Sequence, residues 1–212
     1  MLLNRANLAV VEAATKQESR YALNGILCDV DGTTATDGYM LCHVSPPPGS
    51  VAANFPTWPG AERPTEPIRR FVLPSDSARE IAKALPKKST IPILKTAMVC
   101  ADTNVNGKAA IAVTDLEARR VFQPDKVDGQ FPNWQAVIPK HNAESPATLT
   151  IALDGDLLER VIKVARALKA EAGDTRGPVR LEFSFSDAQS AAKIMAANSE
   201  GQELTAVVMP LR

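Results

Sequence analysis

Histidine and cysteine are scarce in this chain: two histidines, His43 and His141, and three cysteines, Cys28, Cys42 and Cys100, among 212 residues. Two histidines leave little for a histidine-based catalytic or metal site. Three widely spaced cysteines in apolar surroundings read as buried thiols of a reducing compartment, not as a disulfide or zinc framework. Net charge is missing too, since 24 Lys plus Arg balance 24 Asp plus Glu. A basic surface for nucleic acid must therefore come from segregation of charge along the chain. No apolar run reaches the length of about 18 residues that a membrane span needs, and no signal peptide is evident, which predicts a soluble, cytoplasmic protein. What is present is ordinary globular composition, 45% apolar and 23% charged, with length for one large domain or two small ones.

Periodicity and turn signals divide the chain. Residues 4–17, NRANLAVVEAATKQ, predict a helix with Asn4 or Asn7 near its cap. Residues 20–31 read as a strand, Asp31-Gly32 as a tight turn, and 33–44 as one or two strands. The proline-rich stretch 45–67 has no periodicity and is long for a loop in a compact domain, so it reads as an insertion or linker. Residues 69–74 restart as a strand, and 75–85 as a short helix capped by Ser75 or Asp76 and stopped by Pro86. Strands follow over 90–102 and on either side of Thr114-Asp115, with a turn at Asn106-Gly107. After a connector over 124–147, residues 148–154 read as a strand and 155–173 as the clearest helix. There Leu157, Leu158, Val161, Ile162, Ala165 and Leu168 cover an arc of roughly 140° at about 100° per residue. Residues 180–187 and the segment ending at 212 complete a third set of strands.

One unit thus recurs: strand, short capped helix, then about three strands. It starts near the N-terminus, near Arg69 and near Thr148, and "ATDGYMLC" in the first copy sits where "VTDLEARR" sits in the second. Three copies of one order of elements point to an internal repeat and an α+β fold.

Asp29-Val30-Asp31-Gly32-Thr33 looks like the first motif of the haloacid dehalogenase phosphohydrolases. That chemistry also needs a Ser or Thr, a Lys, a late acidic pair for magnesium and a parallel sheet to present them. The residues after the motif read as sheet and then a proline-rich loop, and Asp154-Gly155-Asp156 is explained as a helix cap. The motif therefore reads as a hairpin turn, with the phosphatase a remote alternative. No catalytic residue, cofactor or metal is expected.

Three stretches in order, "RYALNGILCDVDG…TTATDGYMLCHV", "VDGQFPNWQAVIPK" and "AVVMPLR", resemble the bacterial DNA polymerase sliding clamp, the beta subunit of the replicative polymerase. The resemblance implies a DNA-clamp fold of strand-helix-strand modules, twelve to a ring, with helices lining the hole and antiparallel sheets outside. It implies a complete two-module domain over 1–140, carrying the insertion 45–67, and a single half-domain module with the C-terminal tail over 141–212. The family's first domain is absent from this pattern. Sliding clamps catalyse nothing; the implied function is a sequence-independent tether on duplex DNA that binds replication and repair partners. A clamp-like regulator that binds partners without encircling DNA is the alternative.

Two sites follow from the resemblance. The helix lining would contact phosphates through Arg5, Lys16, Arg79, Lys83, Arg160, Lys163 and Arg166, with Arg20 and Tyr21 on a DNA-touching loop. Glu12, Glu80 and Glu159 interrupt these stripes, and a merely solvated helix face is the plain alternative. Ala22 stands where the family often has a second Tyr. The partner site would be a groove for short peptides bearing Gln and aliphatic or aromatic side chains. It would take Leu23, Thr36, Gly38, Tyr39, Met40 and Leu41, then Pro132, Ala136 and Val137, and finally Val208, Met209, Pro210, Leu211 and Arg212. The alternative is that these are ordinary sheet core. Tyr39-Met40 replace the family's usual His-Arg, and Ala136 replaces a frequent Arg, so the groove would be less basic. Three modules per chain and twelve per ring predict a homo-oligomer of four chains.

Overall fold

The computed structural model describes residues 1–17, 22–48, 55–56, 70–87, 89–100, 110–125, 127, 129–138, 152–173, 179–180, 182–184 and 190–211. The chain opens with β1 (Leu2–Leu3) and α1 (Arg5–Ala9), and then β2 (Gly25–Asp29), β3 (Gly32–Thr36) and β4 (Met40–Val44). Next come β5 (Phe71–Pro74), α2 (Ser75–Ala84), β6 (Ala97–Val99), β7 (Ile111–Thr114) and β8 (Arg119–Phe122). The last group is α3 (Gly155–Glu171), β9 (Glu182–Ser184), β10 (Ala192–Ala197) and β11 (Glu203–Val208).

Two antiparallel sheets result, one in the order β1-β6-β7-β8 and one in the order β5-β2-β3-β4-β11-β10-β9. The second joins the first and third repeat units through β4 and β11, with Cys42 opposite Ala206 and Leu41 opposite Val207. One main core lies between the helices and both sheets; it holds Leu8, Val11, Ile81, Val161, Val164 and Leu168 against Ile26, Leu73, Ile111 and Ile194. Each such side chain contributes about 1.5–3 kcal/mol by leaving water.

The outer faces are covered as well. Leu2, Met98, Cys100, Ala110 and Ala112 meet Phe55, which comes from the proline-rich stretch and is 1% exposed. That stretch therefore contributes a core residue. Leu27, Leu41, Val72 and Val207 meet Phe131 and Trp134 of the connector. Sheets covered on both faces have strands that read as apolar throughout, without clean alternation. The three thiols are free and buried, as the composition suggests. Burial pushes the thiols of Cys42 up to about 12 and Cys100 up to about 11, so neither is a nucleophile.

The repeat is visible down to single hydrogen bonds. In the β3–β4 turn, Thr36 Oγ1 donates to Met40 O at 2.6 Å, and the Tyr39 and Met40 amides donate to Asp37 Oδ1 at 2.9 and 3.0 Å. In the β7–β8 turn, Thr114 Oγ1 donates to Ala118 O at 2.9 Å, and the Glu117 and Ala118 amides donate to Asp115 Oδ1 at 3.1 and 2.6 Å. Gly38 sits at φ 94° and its counterpart Leu116 at φ 80°. The turn asks for a left-handed residue in both copies, which Gly supplies and Leu tolerates under strain.

Several expectations are corrected. The first helix ends at Ala9 and continues as a 3-10 turn over Val10–Ala13, a common way for a helix to end, where β-branched Val10 and Val11 lower the α-helical preference. Asn4 and Asn7 share the cap, each accepting from the other's backbone N–H. On α2 the cap position is Pro74, without a side-chain bond, and Ser75 is the first helical residue. On α3 the buried stripe is Val161, Val164, Ala165 and Leu168, while Ile162 is half-buried. The Asn106-Gly107 turn and most of the strand 148–154 lie outside the described residues; Leu153 makes an antiparallel bridge to Pro210. Asp29 ends β2, and Val30-Asp31 form a two-residue turn into β3. β2 is antiparallel to both neighbours, β3 and β5, so the motif does not sit in the parallel sheet that the phosphatase alternative requires.

Candidate peptide groove and helix face

Strand periodicity decides which side chains can meet a partner. Along β4, Met40, Cys42 and Val44 turn toward the helices, while Leu41 and His43 turn toward the connector. Along β11, Leu204, Ala206 and Val208 face the helices and Val207 faces the connector. Met40 and Val208 were expected in the groove; they are 2% and 0% exposed in the main core and cannot line it. Leu41 and Leu23 do reach the outer cluster, joined there by Val207, Phe131, Trp134 and Ile138, which the sequence reading missed. No local signal marks Val207, Phe131 or Trp134 for this face, since β4 and β11 are apolar on both sides.

Around that cluster several apolar side chains remain in solvent: Tyr39 is 61% exposed, Val137 55%, Met209 43% and Leu211 58%. The Met209 amide donates to Tyr39 O at 3.1 Å, so the tail runs directly beside the Thr36-Asp37-Gly38-Tyr39 lip. The Leu211 amide donates to Ala152 O at 2.9 Å and Pro210 bridges Leu153, which anchors the tail to the start of α3. Thr36 is buried and organises the lip from inside. Pro132 and Ala136 are exposed on the connector. Arg212, Arg20 and Tyr21 lie outside the described residues.

The connector is held by a stack. His43 lies on Trp134 with ring centroids 4.2 Å apart and planes 18° apart, and its Nδ1 is 2.9 Å from Thr34 Oγ1. Burial holds the His43 imidazole below its usual range, against the opposing pull of Asp31 and Asp29. The folded protein therefore resists a proton that the unfolded chain accepts near pH 6.5. Stability is expected to be full above about pH 6.5 and to decline as pH falls below it toward the lowered folded-state value. Thermal melting from pH 8 to 5 checks this: the decline should be smaller in His43→Phe, which keeps a ring on Trp134 but does not titrate.

The helix face is more neutral than the sequence implied. Arg5 was expected to meet phosphate, but its guanidinium donates to Ala82 O and Leu85 O, both at 2.6 Å, and ties α1 to α2. Arg160 was expected there too; it pairs with Asp37 Oδ2 at 2.6 Å and donates to Glu12 O at 2.5 Å. Lys16 lies beyond the 3-10 turn, so it and Arg5 do not share a helical stripe. Lys16, Lys83 and Arg166 are exposed. Arg79 pairs with Asp76 at 3.3 Å and Lys163 with Glu159 at 3.5 Å, both in solvent, where such pairs are worth little. A cleft of about 540 Å³ opens among these groups, with Lys16, Arg79 and Lys163 interleaved with Glu12, Asp156 and Glu159.

Two antiparallel sheets backing one layer of short helices, with a Thr-Asp turn repeated between units, make this a DNA-clamp fold. The chain is similar to the bacterial beta sliding clamp. It is 26% identical to the beta sliding clamp of Vibrio cholerae serotype O1 over 136 residues, which cover 62% of this chain and 30% of that protein. It matches the DNA polymerase III beta subunit of Thermotoga maritima with a TM-score of 0.65 at 17% identity. It matches the sliding clamp of Pseudomonas aeruginosa bound to griselimycin with a TM-score of 0.61 at 18% identity. Both matches cover 100% of this chain and 65% of the other, so the chain spans only part of the length of these relatives. No protein-family model matches the chain. Among the described residues no helix is long and apolar enough to cross a membrane.

Proposed function

We propose that this chain is a clamp-like tether: copies of it close around duplex DNA without reading sequence, and a groove between the first and third units holds peptides of replication and repair partners. It works by binding, not by catalysis, in the cytoplasm. The observation that carries the reading is the unbroken seven-stranded sheet, which places the exposed Tyr39, Met209 and Leu211 at one seam, opposite a layer of helices. On this reading 1–140 is the two-unit domain and 141–212 the single unit with the tail; the boundary itself lies outside the described residues. Exposed Lys16, Lys83 and Arg166 supply the cations that face phosphate.

Four copies of three units supply the twelve modules of a clamp ring. Among the described residues β1 and β8 are the edges of one sheet and β5 and β9 the edges of the other, so each copy offers edge strands to which a second copy can add. Size exclusion with light scattering should give four chain masses, and the assembly should stay on nicked circular DNA but run off after linearisation. A strict monomer at high concentration, or equal retention on linear DNA, would refute the ring. The internal use of Arg5 and Arg160 favours a second reading, a partner-binding regulator that does not encircle DNA; peptide binding without topological retention would select it.

A further inference from the structure

We propose that Arg160 is a positioning residue of the peptide groove and not a phosphate contact, an inference that rests on the groove reading above. From α3 of the third unit its guanidinium reaches into the first unit. It pairs with Asp37 Oδ2 at 2.6 Å and donates to Glu12 O at 2.5 Å and Ala14 O at 3.5 Å. The pair is half-buried, at 23% and 13% side-chain exposure, whereas Arg79–Asp76, Arg120–Glu80 and Lys163–Glu159 are more open to solvent. A charge-assisted contact shielded in this way fixes geometry far more firmly than a surface pair.

The second unit supplies an internal control. Its Thr114-Asp115 turn makes the same set of hydrogen bonds, yet Asp115 is fully exposed and has no counterpart of Arg160 among the ion pairs of the described residues. The turn folds without a guanidinium, so Arg160 sets where the lip stands and not whether it forms. A closed circuit does this. Arg160 holds Asp37; Asp37 holds the Tyr39 amide; Tyr39 O holds the Met209 amide; and Pro210 bridges Leu153 at the root of α3. Both walls of the groove are thereby referred to one helix, at a spacing set by a planar fork that Lys cannot copy.

The test is the affinity of a fluorescein-labelled pentapeptide of Gln, Leu, Ser, Leu and Phe, read by anisotropy, with griselimycin as competitor. Arg160→Gln and Asp37→Asn should each weaken binding by about tenfold, and the double variant by no more than either single one. Arg160→Lys should recover part of the loss. Asp115→Asn, in the turn that has no such pair, should bind as wild type. If Arg160→Gln does not melt cooperatively, Arg160→Lys carries the test, with an intermediate affinity expected. Wild-type affinity in a folded Arg160 variant overturns this inference while leaving the groove intact. Failure of the wild-type chain to bind either probe overturns the groove and this inference together.

Discussion

Gly32→Ala is expected to destabilise the fold by about 3–5 kcal/mol, a fall of about 10–15 °C in melting temperature. Gly32 sits at φ 131°, where an L residue is strained, and an added Cβ would lie 2.1 Å from Val44 O and 3.0 Å from Ser45 Cα. Both obstacles are backbone, so no rotamer change relieves them. Relief requires moving β3 away from β4, and β4 also carries β11. Asp29→Asn, directly opposite Gly32 in the β2–β3 register, is expected to change stability by less than about 0.5 kcal/mol. Its carboxylate accepts from the Val30 amide at 2.6 Å, a bond that the Asn carbonyl can also accept. Thermal melts of the two variants side by side check the contrast; a silent Gly32→Ala would refute the turn geometry.

Leu41→Asp is expected to abolish partner binding, by more than about 100-fold, and to release the connector. Leu41 is 3% exposed among Leu27, Val72, Phe131, Trp134 and Val207, an apolar cluster that leaves a carboxylate without a countercharge. Trp134 would leave His43, so its fluorescence should move toward that of a hydrated indole while far-UV circular dichroism keeps the sheet signal. Met40→Leu, one residue away, should leave binding unchanged, because Met40 faces the helices and the substitution conserves volume. A strong effect of Met40→Leu with none from Leu41→Asp would reverse the assigned strand faces.

How much of this was legible in advance differs from one feature to the next. The paired Thr36-Asp37 and Thr114-Asp115 turns were readable, because a turn is a local motif whose hydrogen bonds close within five residues. The helix caps were readable in part: Asp154 accepts from the Asp156 amide at 2.8 Å, but α2 begins without a side-chain cap. The strand faces were not readable. Met40 and Leu41 are both apolar, and so are Val207 and Val208, because helices cover one side of this sheet and the connector covers the other. Without a polar side there is no alternation to set the register.

The basic residues divide in the same way. Composition and spacing place Arg5 and Arg160 on helices, and nothing local separates them from Lys83 or Arg166. Their acceptors are Ala82, Leu85 and Asp37, more than 70 residues away in each case. Sequence by itself determined the repeated module, its turns and the class of fold, since these rest on contacts between near neighbours. Tertiary structure alone decided that Met40 and Val208 belong to the core, that Phe55 closes the outer face of the first sheet, and that Arg160 pairs with Asp37 of the β3–β4 turn. Those outcomes depend on which distant surface arrives opposite each side chain, and only the folded chain brings them together.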